Sequence, residues 1–461
     1  MTWKAGIVGV TPWHLLLAGL TVFCYCCAVA IYRLYFSPLA KFPGPKLAAL
    51  TSLYAGYYDV IRGGQYVWIV EEMHRKYGPV VRVRPDVLHV NDPSSIEKLY
   101  PLSPKHRRER YKTILKTLQL PGSILATQDH DLHRKRRSVL NPFFSQQNVR
   151  RLEPIINDTL ATLLRRMDRW AQRGDTVHLS APFRAATKDI IQVILCSWDS
   201  AKFLEMEDCN APFFDVMGPS RVTHFGTEIP ESEKTAQRLA DEAVVLLIAG
   251  SETTASTLAA ITFHLLDEPR MLARLKAELE TAMPDPNQLP IASKLDGLPF
   301  LNALIEEAIR FYPGASHRQD RVAPDEDLVL ETTEGKKFVI PAGTPFGMTA
   351  PIINRHPALY ENPNVFYPDR YIENPKLLKS QFSFSKGARQ CIGMNLAYQE
   401  LQSLTAGIFR KYDVYDPTLE TQTGPTLELY ETKIEDIAMD ADYITTSPYP
   451  GSQGVRVRIR R

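Results

Sequence analysis

The sequence predicts a mainly α-helical fold with a small β portion. Three observations carry that expectation. Residues 234–268 contain no proline and include the wholly apolar run 244–248, which reads as one long helix crossing a core. Residues 152–172 repeat apolar side chains at helical spacing and stop at Gly174. Alternation at period two is confined to short runs, at 80–90, at 328–349, and at Val455, Val457 and Ile459 among arginines.

The elements follow in chain order. Residues 13–32 carry no formal charge apart from His14 when protonated, a length that spans a bilayer as a helix. Arg33, Lys41 and Lys46 follow this run, and only Lys4 precedes it. The positive-inside rule therefore places the rest of the chain in the cytosol. Trp13, Tyr32 and Tyr35 are candidate interfacial anchors. The rival reading is a cleaved signal peptide, with Ala28-Val29-Ala30 as its small-x-small site. A single basic residue before a long apolar run favours the anchor. Pro38, Pro43 and Pro45 cannot continue a helix, so residues 37–45 are expected to act as a stiff spacer. Beyond them, 66–77 has helical spacing and ends at Gly78-Pro79. Residues 80–90 read as a hairpin around Pro85, and Asp92-Pro93-Ser94 opens a helix to about Tyr100. Residues 269–283 and 301–311 are further helices.

Composition bounds the function. The chain has 461 residues, 44% hydrophobic and 23% charged, with a net charge of +2, so overall charge names no partner. No Gly/Ser linker or repeat divides it. Its six cysteines show neither disulfide nor zinc spacing, which fits a reducing compartment. Residues 105–137 are strongly basic, but no aromatics interleave them, and nucleic acid is not an expected partner.

The chemistry concentrates at Phe384-Ser-Lys-Gly387-Ala-Arg389-Gln-Cys391-Ile-Gly393. A cysteine there lies in a glycine-flanked loop just before a helix-forming run, with Arg389 two residues away. A helix N-terminus and a nearby cation both favour the thiolate, and the glycines let a flat ligand approach the backbone. An axial thiolate for haem iron needs these features. The stretch resembles the haem loop of the cytochromes P450, Phe-x-x-Gly-x-Arg-x-Cys-x-Gly, at all five fixed positions.

Three more segments carry the same resemblance. Ala249-Gly250-Ser251-Glu252-Thr253-Thr254 interrupts the long apolar helix with a costly glycine and with hydroxyls that can bond i−4 carbonyls. It is similar to the family's oxygen-activation motif. That likeness implies Thr253 as a proton donor in the distal groove and Glu252 as the relay from solvent. Glu307 and Arg310 form an i,i+3 pair, and Phe366-Tyr367-Pro368-Asp369-Arg370 resembles the element that supplies a second arginine. Glu307, Arg310 and Arg370 are then expected to hold the haem loop, not to do chemistry. His133 and Arg137 match a Trp-x-x-x-Arg pattern for the haem propionates, with histidine in place of tryptophan. Arg321 and Arg389 match further propionate positions.

The resemblance implies one haem-thiolate domain over 37–461, after an anchor and hinge start at 1–36. The cofactor would be heme b with Cys391 as its axial ligand, and Phe384 and Gly387 would shape the loop around it. The activity would be a monooxygenase that hydroxylates or epoxidises an apolar small molecule, fed with electrons by NADPH–cytochrome P450 reductase at the endoplasmic reticulum membrane. Arg134, Lys135, Arg136 and Lys386 would form the cationic docking face. Asn141-Pro-Phe-Phe-Ser145, Asp241-Glu-Ala243 and Gly424-Pro-Thr-Leu-Glu-Leu-Tyr430 look most like fungal enzymes of secondary metabolism, trichodiene oxygenase-like enzymes among them, acting on terpenoids or polyketides.

One region departs from the family. Asn210-Ala-Pro-Phe-Phe214 looks like the start of the helix called F, yet by Glu233 the chain is entering the oxygen-activation helix. Much of the F–G lid is therefore expected to be missing, which leaves the apolar 244–248 face open and water poorly excluded. Two alternatives stay open: a haem-binding protein with impaired oxidation, and a thiolate-haem isomerase that needs no oxygen. The Glu252-Thr253 pair argues against the second.

Overall fold

A computed structural model describes residues 12–112, 119–196, 233, 235–333 and 335–461, with the side chains of 194–196 excepted. The expected start of the F helix and the short stretch after it lie outside the described residues. Nine helices of eleven residues or more occur among the described residues: α1 (Pro12–Ile31), α2 (Tyr66–Tyr77), α3 (His130–Leu140), α4 (Glu153–Arg173), α5 (Ser180–Cys196), α6 (Ala236–Asp267), α7 (Pro269–Ala282), α8 (Pro299–Phe311) and α9 (Met394–Lys411).

Local sequence explains the ends of these helices. In α6 the Thr235 side chain accepts the Arg238 N–H, an N-cap. Its second half is buried on every side, from Thr254 to Leu266 apart from Ser256. α4 buries Ile156, Leu160, Leu163 and Met167 as one stripe and ends at Gly174, whose φ of +70° suits a glycine cap. α6 lies in the main core, surrounded by apolar residues of α4, α7, α8 and α9. At Gly407 of α9 an added Cβ would come within 2.4 Å of Leu160, so glycine permits the close crossing of α4 and α9.

The β portion is small and split. β1 (Val80–Arg84) and β2 (Val87–Val90) form the expected hairpin. With β3 (Glu109–Arg110), β5 (Arg321–Val322) and β8 (Pro345–Gly347) they make one sheet in the order β1-β2-β8-β5-β3. β4 (Thr176–His178), β9 (Asp413–Val414), β10 (Thr426–Leu429) and the terminal β13 (Arg456–Arg460) form a second, in the order β4-β13-β10-β9. β6 (Leu328–Glu331) pairs with β7 (Lys337–Ile340), and β11 (Ala441–Tyr443) with β12 (Thr445–Ser447).

Three expectations need correction. The proline-rich segment, expected as a stiff spacer, is docked on the domain. Leu39 and Phe42 are buried, Arg82 N–H donates to Pro43 O (2.8 Å), and Arg82 Nη1 donates to Arg33 O (2.7 Å). The segment opening at Asp92 begins as a 3-10 turn, Pro93–Ser95, before a single α-turn. The 244–248 run is only partly open. Val245 and Leu246 are buried, whereas Val244 and Ile248 are 38% and 62% exposed. α1 has no buried residue.

Candidate active site

The Cys391 loop is built by backbone geometry. Phe384 packs on Tyr398 of α9 with ring centroids 5.4 Å apart, and its carbonyl accepts the Cys391 N–H (2.8 Å). Gly387 has φ +76°, and a Cβ there would fall 2.6 Å from Tyr100 O and 2.7 Å from Pro101 O. Only glycine fits that contact. Ile392 packs on the apolar cluster to which Leu246 of α6 belongs, which brings the loop near the long helix. The Glu307 network holds the entrance of the loop. Glu307 accepts from Arg310 Nε and Nη2 (both 2.7 Å), from Arg370 Nε (3.2 Å) and from Tyr367 N–H (2.7 Å). Arg310 Nη1 donates to Asn354 O (2.9 Å), while Asn354 Oδ1 accepts the Phe382 N–H (3.1 Å).

Cys391 is an exposed residue, yet the protein packed around its thiol pushes the thiol up from its ordinary value. The Gly393 N–H and the Arg137 guanidinium oppose that rise. The sequence expectation that Arg389 would hold the thiolate fails, because its donors turn elsewhere. Nε goes to Arg108 O (3.2 Å), Nη1 to Thr127 O (2.7 Å) and Nη2 to Gln128 O (2.7 Å). Arg389 clamps the loop to the start of α3. Arg137 donates to Gln390 O (2.6 Å) and is the cation beside the sulfur. Burial therefore works against the thiolate, and a bound metal ion would favour it.

A cationic cradle lies nearby, since Arg137, which acts on Cys391, also acts on His133 together with Arg110 and Arg321. In the β3–β5 pairing Arg110 stands directly across from Arg321, and both are buried. Like charges opposed across a sheet repel, and buried ones need an anion. Arg110 Nε has no partner among the described residues, and burial beside Arg321 lowers Arg110 to about 9. His133 is buried with Nδ1 unpartnered. Burial, then Arg389, Arg137, Arg110 and Arg321, push it down to about 2, so it is neutral. These orphaned donors fit a dianionic group, as two propionates would supply. Sequence reasoning missed Arg110, which sits in a basic run whose members point in different directions. Arg107 faces Asp129, Asp131 and Asp325, and Arg108 pairs with Glu326.

On α6 the Thr253 hydroxyl donates to Ala249 O (2.8 Å), and Ser251 Oγ donates to Leu247 O (2.6 Å). Gly250 lets α5 approach, since a Cβ would come 3.0 Å from Ile191. Glu252 pairs with Arg184 of α5 at 3.4 Å, both partly exposed. Gly314 packs against Thr253, with an added Cβ only 2.6 Å from the Thr253 Cβ. The expected docking face is smaller than its sequence suggests. Arg134 and Lys135 are exposed, but Arg136 is buried, with Nε donating to Glu233 (2.6 Å) and Nη1 to Thr127 Oγ1 (2.8 Å).

The cytochrome P450 family model matches residues 52–220 and 223–429. The chain is a cytochrome P450. The P450 is 34% identical to the cytochrome P450 monooxygenase astB of Talaromyces wortmannii, over 96% of this chain and 97% of that one. It is 33% identical to stellatic acid synthase of Emericella variicolor, over 94% and 93%, and 34% identical to tryptophan 6-hydroxylase fscE of Fusarium equiseti, over 95% of each. The family fixes the class of enzyme, a monooxygenase carrying heme b on a cysteine thiolate and served by a redox partner.

Proposed function

We propose that this P450 hydroxylates or epoxidises an apolar small molecule in fungal secondary metabolism, with Cys391 as the axial ligand and Arg110, His133, Arg137, Arg321 and Arg389 around the propionates. The observation that carries the reading is the opposition of buried Arg110 and Arg321, whose charges meet that of Arg137, the cation beside Cys391, at His133. Bound haem supplies oxygen activation and electron transfer. The chain's own residues supply protons and position. Glu252 is 44% exposed at its side chain, so it can take protons from water once it leaves Arg184. Thr253 must release Ala249 O before it can donate outward. Glu307, Arg310 and Arg370 hold the loop.

The domain division at 36/37, the anchor of α1 in the endoplasmic reticulum and electron supply by NADPH–cytochrome P450 reductase belong to the same proposal. α1 supports it, being apolar with no buried residue. A second reading concerns the lid. The astB alignment spans 490 positions, more than the 461 residues of this chain, so that relative carries residues that this chain lacks. The family match breaks at 221–222, and Val244 and Ile248 are open. These observations support a shortened lid with poorly coupled oxidation.

Reconstitution with the reductase tests both. Thr253→Ala should lower product per NADPH consumed and raise hydrogen peroxide, with NADPH consumption retained. A variant that forms product as efficiently as wild type would remove Thr253 from the proton route. Tight coupling in the wild type would refute the lid reading.

A further inference from the structure

His317 lies in the irregular segment between α8 and β5. Three residues earlier, Gly314 packs on Thr253. Ser316 N–H donates to Ile444 O (3.0 Å), and its hydroxyl donates to Asp442 Oδ1 (2.7 Å), which fixes the segment against the β11–β12 hairpin. Arg318 turns to one side, where Nε donates to Asp320 Oδ1 (2.5 Å) and its methylenes lie against Gly347. His317 itself stands at a bend between Ser316 and Arg318. One end of the segment touches the proton-delivery threonine. The other end enters the cationic cradle.

Both ring nitrogens of His317 are buried and have no partner among the described residues. Burial pushes the imidazole down to about 3, and Arg110, Arg318 and Arg321 push the same way. The ring is therefore neutral near neutral pH, with one N–H to donate and one lone pair to receive. Arg110 and Arg321 also act on His133, so both histidines border one positive field. That field favours a negatively charged acceptor for the His317 N–H. Arg110 Nε, the other orphaned donor nearby, would meet a second oxygen of the same acceptor.

We propose that His317 donates a hydrogen bond to a carboxylate bound at the cationic cradle. The inference rests on the haem-thiolate reading above. Two sources share this chemistry, a haem propionate and an acid group on the substrate. The substrate arm would make this P450 selective for an apolar molecule bearing a carboxylate. His317 would then be a positioning residue, setting which carbon lies near Thr253.

The test uses holoenzyme with His317→Phe, which keeps the ring and removes both nitrogens, and His317→Asn, which restores one N–H. Haem transfer to excess apomyoglobin reads the first source. Soret titration with dodecanoic acid and with dodecanol reads the second. If a propionate is the partner, His317→Phe loses haem about fivefold faster than wild type, and Asn restores part of the difference. If the substrate is the partner, haem loss is unchanged and the preference for acid over alcohol falls about fivefold, again restored in part by Asn. Should neither quantity move by about twofold in His317→Phe, the proposal is overturned. A wild type that binds no haem overturns the haem-thiolate reading and this inference together, whereas an indifferent His317→Phe in a haem-bound enzyme overturns this inference alone.

Discussion

Glu307→Ala puts the loop-holding network under test. The Glu307 carboxylate is fully buried, as is Arg310, and Arg370 is 6% exposed. Removing it strands two guanidiniums that lose three charged hydrogen bonds, at 2.7, 2.7 and 3.2 Å. Breaking a buried ion pair costs about 3–5 kcal/mol. Arg310 keeps Asn354 O and Pro363 O, and Arg370 keeps Glu361 O, so the lower part of that range is expected, about 3–4 kcal/mol. An unfolding entropy near 2.1 cal/mol/K per residue makes this roughly 4 °C in the thermal midpoint of a chain this size. Guanidinium unfolding of the holoenzyme, read by tryptophan fluorescence, measures the free energy. The control is Glu331→Ala, whose partner Lys337 lies 4.0 Å away with both side chains about two-thirds exposed. It should change stability by less than about 0.5 kcal/mol. If Glu307→Ala costs no more than the control, the network is not what holds the loop.

Other outcomes follow from single contacts. Gly387→Ala places a Cβ against two carbonyl oxygens at φ +76°, so the variant should bind haem in markedly lower yield than wild type, measured as haem per protein after purification. His264 stacks on Phe366 at 3.7 Å, hydrogen-bonds Tyr312, and is held down to about 3 by burial. Its folded pKa lies below the unfolded value of about 6.5, so stability is full above pH 6.5 and falls as pH drops towards 3. In that window the unfolded chain binds one proton more. His264→Phe should make the acid limb of stability shallower by about 1.4 kcal/mol per pH unit between pH 6 and 4, measured by denaturant titrations at several pH values.

Much of the helical frame was legible because it rests on local signals. α6 shows itself by a long proline-free apolar stretch, and α4 by its stripe and terminal glycine. The Cys391 loop shows itself by glycines whose spacing reflects backbone contacts, as Gly387 against Tyr100 demonstrates. What stayed hidden depends on chain segments meeting from far apart. β13 inserts between β4 and β10, an order that no periodicity encodes. Arg110 becomes a cradle residue only because β3 pairs with β5. His317 sits in an irregular segment with no hydrophobic period, so its orphaned nitrogens emerge only in three dimensions. Proximity in sequence points to Arg389 as the cation beside the sulfur, whereas the structure spends that side chain on carbonyls and sets Arg137 there.

The bond from Cys391 sulfur to haem iron is tested most directly by the absorption spectrum of the reduced, carbon monoxide-bound protein, recorded for wild type and Cys391→Ser. The wild type should show the red-shifted Soret band of a thiolate-ligated carbonmonoxy haem, and the serine variant should lose it. A wild type without that band, or a serine variant that keeps it, would contradict the account.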